Sequence, residues 1–295
     1  MSRLPYAIAG GVLAAACLGV AAYAQPPAAP PFATSKVADN VYVFRYGGHQ
    51  SIFVVTSAGV IATDPIGYGR PQAVVTYVDE IKKVTPQPIK YLIYSHQHFD
   101  HIAGGKPFKD AGATVIAHTR AKEWLLALRD PHTVLPDETV DTSRTITLGD
   151  TTLELTYLGP NHSDSTLVMR LPKEKVLFAV DFIPVGSVPG RGMLDFYPIQ
   201  AEESLKKVLA MDWVTLIPGH PGQPGGRLGT KQDVQDQLMF LQDASAAVKA
   251  EAQAGKCWDG VEKGLKLPKY QSWPGYEQNL PFVLRRYCGL WGRGF

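Results

Sequence analysis

Cysteine is scarce in this chain: three in 295 residues, at positions 17, 257 and 288. No C-x-x-C pair exists, which excludes a cysteine zinc cluster and a thioredoxin-like redox motif. Neither sign of charge is in excess, with 29 Lys and Arg against 27 Asp and Glu. Such a balance gives no electrostatic footprint for nucleic acid or an anionic membrane surface. The glycine-rich stretch 222–226 does not form a helix-opening Gly-x-Gly-x-x-Gly after a strand, so nucleotide binding has no support. Ser163 has no evident base beside it, which argues against a serine nucleophile.

The one long apolar run is at the start. Arg3 supplies a basic opening, Ala7 to Ala22 is rich in Ala, Gly, Leu and Val, and Ala22-Tyr23-Ala24 is an A-x-A cleavage signal. Residues 1–24 are read as a signal peptide cleaved near Ala24, placing the mature protein in the periplasm or outside the cell. The run is short for an uncleaved anchor. A lipid attachment at Cys17 is disfavoured because Ala14-Ala15-Ala16 lacks a Leu. Cleavage removes Arg3 and no acidic residue, leaving 28 basic against 27 acidic side chains. No stable membrane association is expected afterwards. In an oxidising compartment Cys257 and Cys288 form one disulfide or stay as thiols, and the spacing leaves both open.

Residues 25–36 read as a Pro-rich linker, 37–245 as a globular domain and 246–295 as a helical or irregular aromatic arm packed on it. Within the domain, strands are expected at 41–44, 51–56, 59–64 and 89–94. A helix over 71–84 is expected between the last two, with Pro71 in its first turn. A strand at 113–117 leads to a helix capped by Thr119. The second half repeats the theme, with paired strands around Gly149-Asp150 and around 172–175. A helix over 201–211, a strand over 213–217 and a long helix opened by Thr230 and Asp233 follow.

What the chain does have is a concentration of histidine. Only eight occur, and three fall in His96-Gln97-His98-Phe99-Asp100-His101, directly after the apolar run Tyr91–Tyr94. Three imidazoles and a carboxylate cannot be buried together without a partner, and they are the donors Zn²⁺ takes where thiols are absent. His162 and His220 lie in Pro/Gly loops after predicted strands, and Asp181 ends another strand. Each alone is an ordinary loop or turn residue. Together with the hexapeptide they supply enough ligands for a metal pair.

The ordered series Asp64, His96-x-His98-x-Asp100-His101, His162, Asp181 and His220 resembles the metallo-β-lactamase-fold superfamily over most of residues 37–245. The resemblance implies a four-layer αββα sandwich with the site at the edge where strand ends meet. It implies one zinc on His96, His98 and His162, a second on Asp100, His101 and His220, and Asp181 bridging them. Asp64 would brace the metal-bearing loop. Asp100 would also act catalytically by orienting a water acidified by the two cations. The stretch around His162 looks like that of secreted zinc β-lactamases. Asp181, where the nearest of those carry a zinc-binding Cys, is similar instead to hydroxyacylglutathione hydrolases and lactonases.

The implied function is an exported dinuclear zinc hydrolase acting on a small ester, lactone, thioester or amide. One alternative is a true β-lactamase. Another is an iron-dependent enzyme of the persulfide dioxygenase type, with Fe or mixed divalent metals in place of two Zn²⁺. The oxygen-reducing type of this fold usually carries Glu where His98 stands. His49 and Arg191 are candidate substrate contacts. His118 and His132 read as structural or surface residues. The expected partner is a small-molecule substrate, not nucleic acid, and the oligomeric state is left open.

Overall fold

A computed structural model describes residues 31–295. The proposed signal peptide and cleavage site, Cys17 and most of the proposed linker lie outside the described residues. The first half runs β1 (Phe32–Lys36), β2 (Val41–Tyr46), β3 (His49–Thr56), β4 (Gly59–Thr63), α1 (Pro71–Val84) and β5 (Ile89–Ile93). It continues through α2 (Phe99–Ile102), α3 (Lys106–Asp110), β6 (Thr114–His118), α4 (Thr119–Leu128) and β7 (Glu138–Val140). These strands form one sheet in sequence order, antiparallel from β1 to β4 and parallel from β4 to β7.

The second half runs β8 (Ser143–Leu148), β9 (Thr151–Tyr157), β10 (Leu167–Leu171), β11 (Val176–Ala179), α5 (Pro198–Ala210), β12 (Thr215–Pro218), α6 (Lys231–Gln253), α7 (Asp259–Gly264) and α8 (Tyr276–Arg293). Its sheet has the order β12-β11-β10-β9-β8, with β11 and β12 parallel. Alternate residues of the two sheets meet in a central core, among them Val43, Ile52, Ile61, Ile93, Leu155, Met169, Phe178 and Ile217. The opposite face of the first sheet packs on α1, α3 and α4 through Phe53, Tyr77, Leu92, Phe108 and Leu125. The second sheet packs on α5, α6 and α8 through Leu177, Leu205, Phe240, Leu284 and Tyr287. This is the expected αββα sandwich. The parallel strands β4, β5, β11 and β12 all deliver their C-terminal ends to one edge, and the candidate ligands lie there.

Three details differ from the sequence reading. Phe32–Lys36, assigned to the linker, is an edge strand paired with β2; its mostly exposed side chains gave no alternating apolar signal. The cap of α4 is His118, whose Nδ1 accepts from the Arg120 N–H, with Thr119 as the first helical residue. The arm is more regular than expected. Tyr276, Leu280, Val283, Leu284, Tyr287 and Cys288 are buried at helical spacing in α8, although Pro281 lies within it. Burial of that stripe outweighs the one backbone donor that Pro281 removes. Cys257 and Cys288 are free thiols, and Cys288 is buried.

Candidate metal centre

The site is built on strand ends. β5 runs out at Ile93, and the next residues, Tyr94 to His101, turn across the sheet edge into the single turn of α2. Asp64, just beyond β4, holds that turn from below. It is fully buried, its Oδ1 accepts from the Ser95 N–H at 2.8 Å, and Oδ2 lies 4.0 Å from His101 Nδ1. Its backbone φ is 25°, in the left-handed region. Burial pushes the Asp64 carboxyl up to about 6. Arg70 ties the same turn from outside by donating to the Ile66 and Asp100 carbonyls at 3.1 and 2.7 Å.

The structure brings the seven expected metal residues, and His49 with them, into one cluster, in two sets. Each set offers ligand atoms lying within 4.8 Å of one another: His96, His98, His162 and Asp181 in the first, and His49, Asp100, His101 and His220 in the second. Asp181 stands between the sets. Its Oδ2 is 3.7 Å from His96 Nε2, 3.4 Å from His162 Nε2 and 3.0 Å from His101 Nε2. Its Oδ1 is 3.4 Å from His220 Nε2.

Hydrogen bonds fix which imidazole nitrogens face inward. His98 Nε2 donates to Asp195 Oδ2 at 2.7 Å, so the His98 Nδ1 lone pair points at His162 Nε2, 2.9 Å away. His220 Nδ1 donates to the Gly48 carbonyl at 2.6 Å, which leaves Nε2 for the cluster. His96 Nδ1 lies 2.9 Å from Ser95 Oγ, so its outer nitrogen is likewise engaged. Ligating histidines are typically oriented in this way.

Burial and the carboxylates pull the imidazoles in opposite directions, raising His98, His101 and His220 and lowering His96 and His162. Burial, then repulsion from neighbouring imidazoles, holds His96 well below its ordinary value, and burial pulls His162 down to about 4. Both are therefore neutral donors. Burial opposes charge on Asp181, but His101 and His220 outweigh it and hold the carboxyl well below the usual range. The same carboxylate raises His220 to about 9 against burial. Asp100 is likewise held low, mainly by the His49 hydrogen bond acting against burial.

The arrangement fits a metal on two further observations. His96 Nε2, His101 Nε2 and Asp181 Oδ1 are buried and make no hydrogen bond among the described residues. Orphaned polar atoms of this kind are costly unless a cation satisfies them. Gly219 also leaves a cradle, since a Cβ there would lie 2.7 Å from Asp181 Oδ1 and 3.0 Å from His101 Cε1. Imidazole and carboxylate donors with no thiol suit a divalent ion such as zinc.

The cluster floors an open cavity of about 1230 Å³ walled by Tyr68, Phe99, Trp124, Leu128 and Leu194, with Arg191 on its rim. His118 and His132 lie away from it, His118 serving as the α4 cap. Asp195 was not singled out in the sequence. It follows a Gly-rich loop with no motif around it, and only the fold brings it to His98. His49 was singled out as a substrate contact, and the structure places it within hydrogen-bond reach of Asp100.

A model of the Metallo-beta-lactamase superfamily matches residues 47–220. The chain is 26% identical over 195 residues to the 2,4-dinitroanisole O-demethylase subunit alpha of Nocardioides sp. (strain JS1661), a match covering 65% of this chain and 58% of that relative. It thus spans less than two thirds of that relative's length. It is 27% identical over 204 residues to the Metallo-beta-lactamase type 2 of Elizabethkingia meningoseptica, covering 66% of this chain and 77% of the relative. Among solved structures, a metallo-beta-lactamase from Pontibacter korlensis is similar with a TM-score of 0.61 at 20% identity, over 72% of this chain and 99% of that one. DIM-1 metallo-beta-lactamase is similar with a TM-score of 0.63 at 21% identity, over 73% and 99%. At such identities the structural likeness speaks for the fold.

Proposed function

Because this chain belongs to the Metallo-beta-lactamase superfamily and is a metal-dependent hydrolase, we propose that it is an exported dinuclear zinc enzyme cleaving a small ester, lactone, thioester or amide. The observation that carries this reading is the pair of ligand sets meeting at Asp181. His96, His98 and His162 would hold one ion, Asp100, His101 and His220 the other, and Asp181 would touch both. Bound there, two divalent cations supply Lewis acidity and a water acidified toward neutral pH.

The chain's own groups do the rest. Asp100 is an ionised acceptor with its side chain 38% exposed to the cavity, so it can hold and orient a water against the substrate. Asp195 and Gly48 keep two imidazoles in one tautomer. The apolar wall of Tyr68, Phe99, Trp124 and Leu128 excludes water from the non-reacting part of the substrate and favours an apolar substituent there. Export is supported by the Arg3, Ala7–Ala22 and Ala22-Tyr23-Ala24 pattern. No helix of the described residues is long and apolar enough to cross a membrane.

A second reading, β-lactam hydrolysis, is favoured by the names of the relatives. Plasma-emission metal analysis, paired with turnover of a p-nitrophenyl ester, a simple lactone, nitrocefin and 2,4-dinitroanisole, separates the readings. Two zinc per chain with ester or lactone turnover is the expected result. Nitrocefin turnover alone would move the assignment to the β-lactamases. One iron per chain, with oxygen consumed in the presence of a persulfide, would overturn it.

A further inference from the structure

We propose that His49 is a further protein ligand at the second metal position, joining Asp100, His101, His220 and the shared Asp181. The inference rests on the two-metal reading above. His49 is the first residue of β3, paired with Tyr46 across the turn Gly47-Gly48. Its Nε2 lies 3.1 Å from Asp100 Oδ2, and its ring centroid lies 4.5 Å from that of His220 and 5.4 Å from that of His101. One donor atom from each of the four residues falls within 4.8 Å of the other three. Three imidazoles and one carboxylate at that spacing, with the Asp181 carboxylate beside them, are all donors that zinc takes.

The turn carrying His49 is part of the site's frame. Gln50 donates its backbone N–H to the Gly219 carbonyl at 2.7 Å and its side-chain amide to the Pro218 carbonyl at 3.0 Å. The Gly48 carbonyl accepts from His220 Nδ1 at 2.6 Å. Residues 48–50 are thus bonded on three sides to the loop that presents His220, so His49 reaches the second position without any segment having to close. A ligand on so fixed a backbone gives up little freedom when it binds.

The competing role for His49 is to orient Asp100 through the 3.1 Å hydrogen bond alone. Gln at position 49 separates the two, because its side-chain amide keeps a donor for Asp100 but replaces the imidazole nitrogen. The metal-free full chain, as wild type, His49→Ala and His49→Gln, is titrated with Zn²⁺ and with Co²⁺. Zinc is followed by competition with a chromophoric chelator, and cobalt by its visible absorption. The wild type is expected to take two equivalents. Both variants are expected to take the first equivalent with wild-type affinity and the second about 100-fold more weakly, with a changed cobalt spectrum for that equivalent only. Unchanged first-equivalent binding reports an intact fold. If His49→Ala does not fold, His49→Gln carries the test.

Wild-type second-site affinity in His49→Gln overturns the ligand role and leaves hydrogen bonding to Asp100. Two undiminished equivalents in His49→Ala overturn the inference outright. A wild type that takes only one equivalent overturns the two-metal reading beneath it.

Discussion

Asp195 and His98 are joined by a 2.7 Å hydrogen bond, and that bond decides which face of the His98 imidazole looks into the cluster. With Nε2 donating to the carboxylate, only Nδ1 is left to bind a metal. Removing the carboxylate as Asp195→Ala frees the ring to flip and lowers its basicity. We expect metal affinity at the first position to fall about 10- to 100-fold, with turnover recovering at high zinc. Zinc-dependent activity curves for the variant and the wild type check this. Identical curves would show that Asp195 has no part in holding His98.

Asp181 stands between both ligand sets with its side chain 7% exposed. Asp181→Ala removes the one carboxylate close to His96, His101, His162 and His220, so hydrolysis should drop at least about 100-fold and metal content should fall below that of the wild type. His98→Ala should do the same while leaving the far-ultraviolet circular dichroism unchanged. Full activity in Asp181→Ala would refute its role between the two positions.

Gly219 has no room for a methyl group. A Cβ would fall 2.7 Å from Asp181 Oδ1 and would crowd Val180 and His101. Gly219→Ala should lower stability by about 1–3 kcal/mol and reduce metal content, measured by denaturant titration and plasma emission. Wild-type values of both would show that the strand-end loop yields without cost.

How much of this was legible beforehand follows a physical division. The hexapeptide 96–101 could be read because a buried strand, β5, empties into it, and local sequence carries both halves of that signal. α1 was bounded in advance because Pro71 opens it and its apolar residues keep helical spacing. Asp195 and the Gly48 carbonyl could not be read, because their significance arises only when two sheets close and distant loops meet. β1 was hidden by its own composition: an edge strand with polar, mostly exposed side chains has little to distinguish it from linker. α8 was obscured by Pro281, Gly289 and Gly292, while the buried stripe that fixes it runs from Tyr276 to Cys288 on either side of that proline.

Away from the site, Asp233 sets an acid limit on stability. Its carboxylate accepts from the Thr230 N–H and Oγ1 at 2.8 and 3.0 Å and pairs with Arg227, capping α6. Burial alone would push this carboxyl up, but the Arg227 and Thr230 hydrogen bonds outweigh it and hold it below the usual range. A carboxyl depressed in the folded state adds stability above its unfolded value, near 3.9, and loses it as pH falls through the folded value. Asp233→Asn should therefore cost about 1–2 kcal/mol at pH 7, and that gap should close as the pH is lowered below about 3. Urea titrations across pH 2.5 to 7 check it, and a gap independent of pH would assign the loss to packing.

The most direct test of the central claim is a zinc-edge anomalous difference map from crystals of the full chain grown with zinc. Two peaks are predicted, one among His96, His98 and His162 and one among Asp100, His101 and His220, with the Asp181 carboxylate between them. A map with no peak within ligand distance of these side chains, or with the imidazoles of His162 and His220 turned away from the 96–101 turn, would contradict the account.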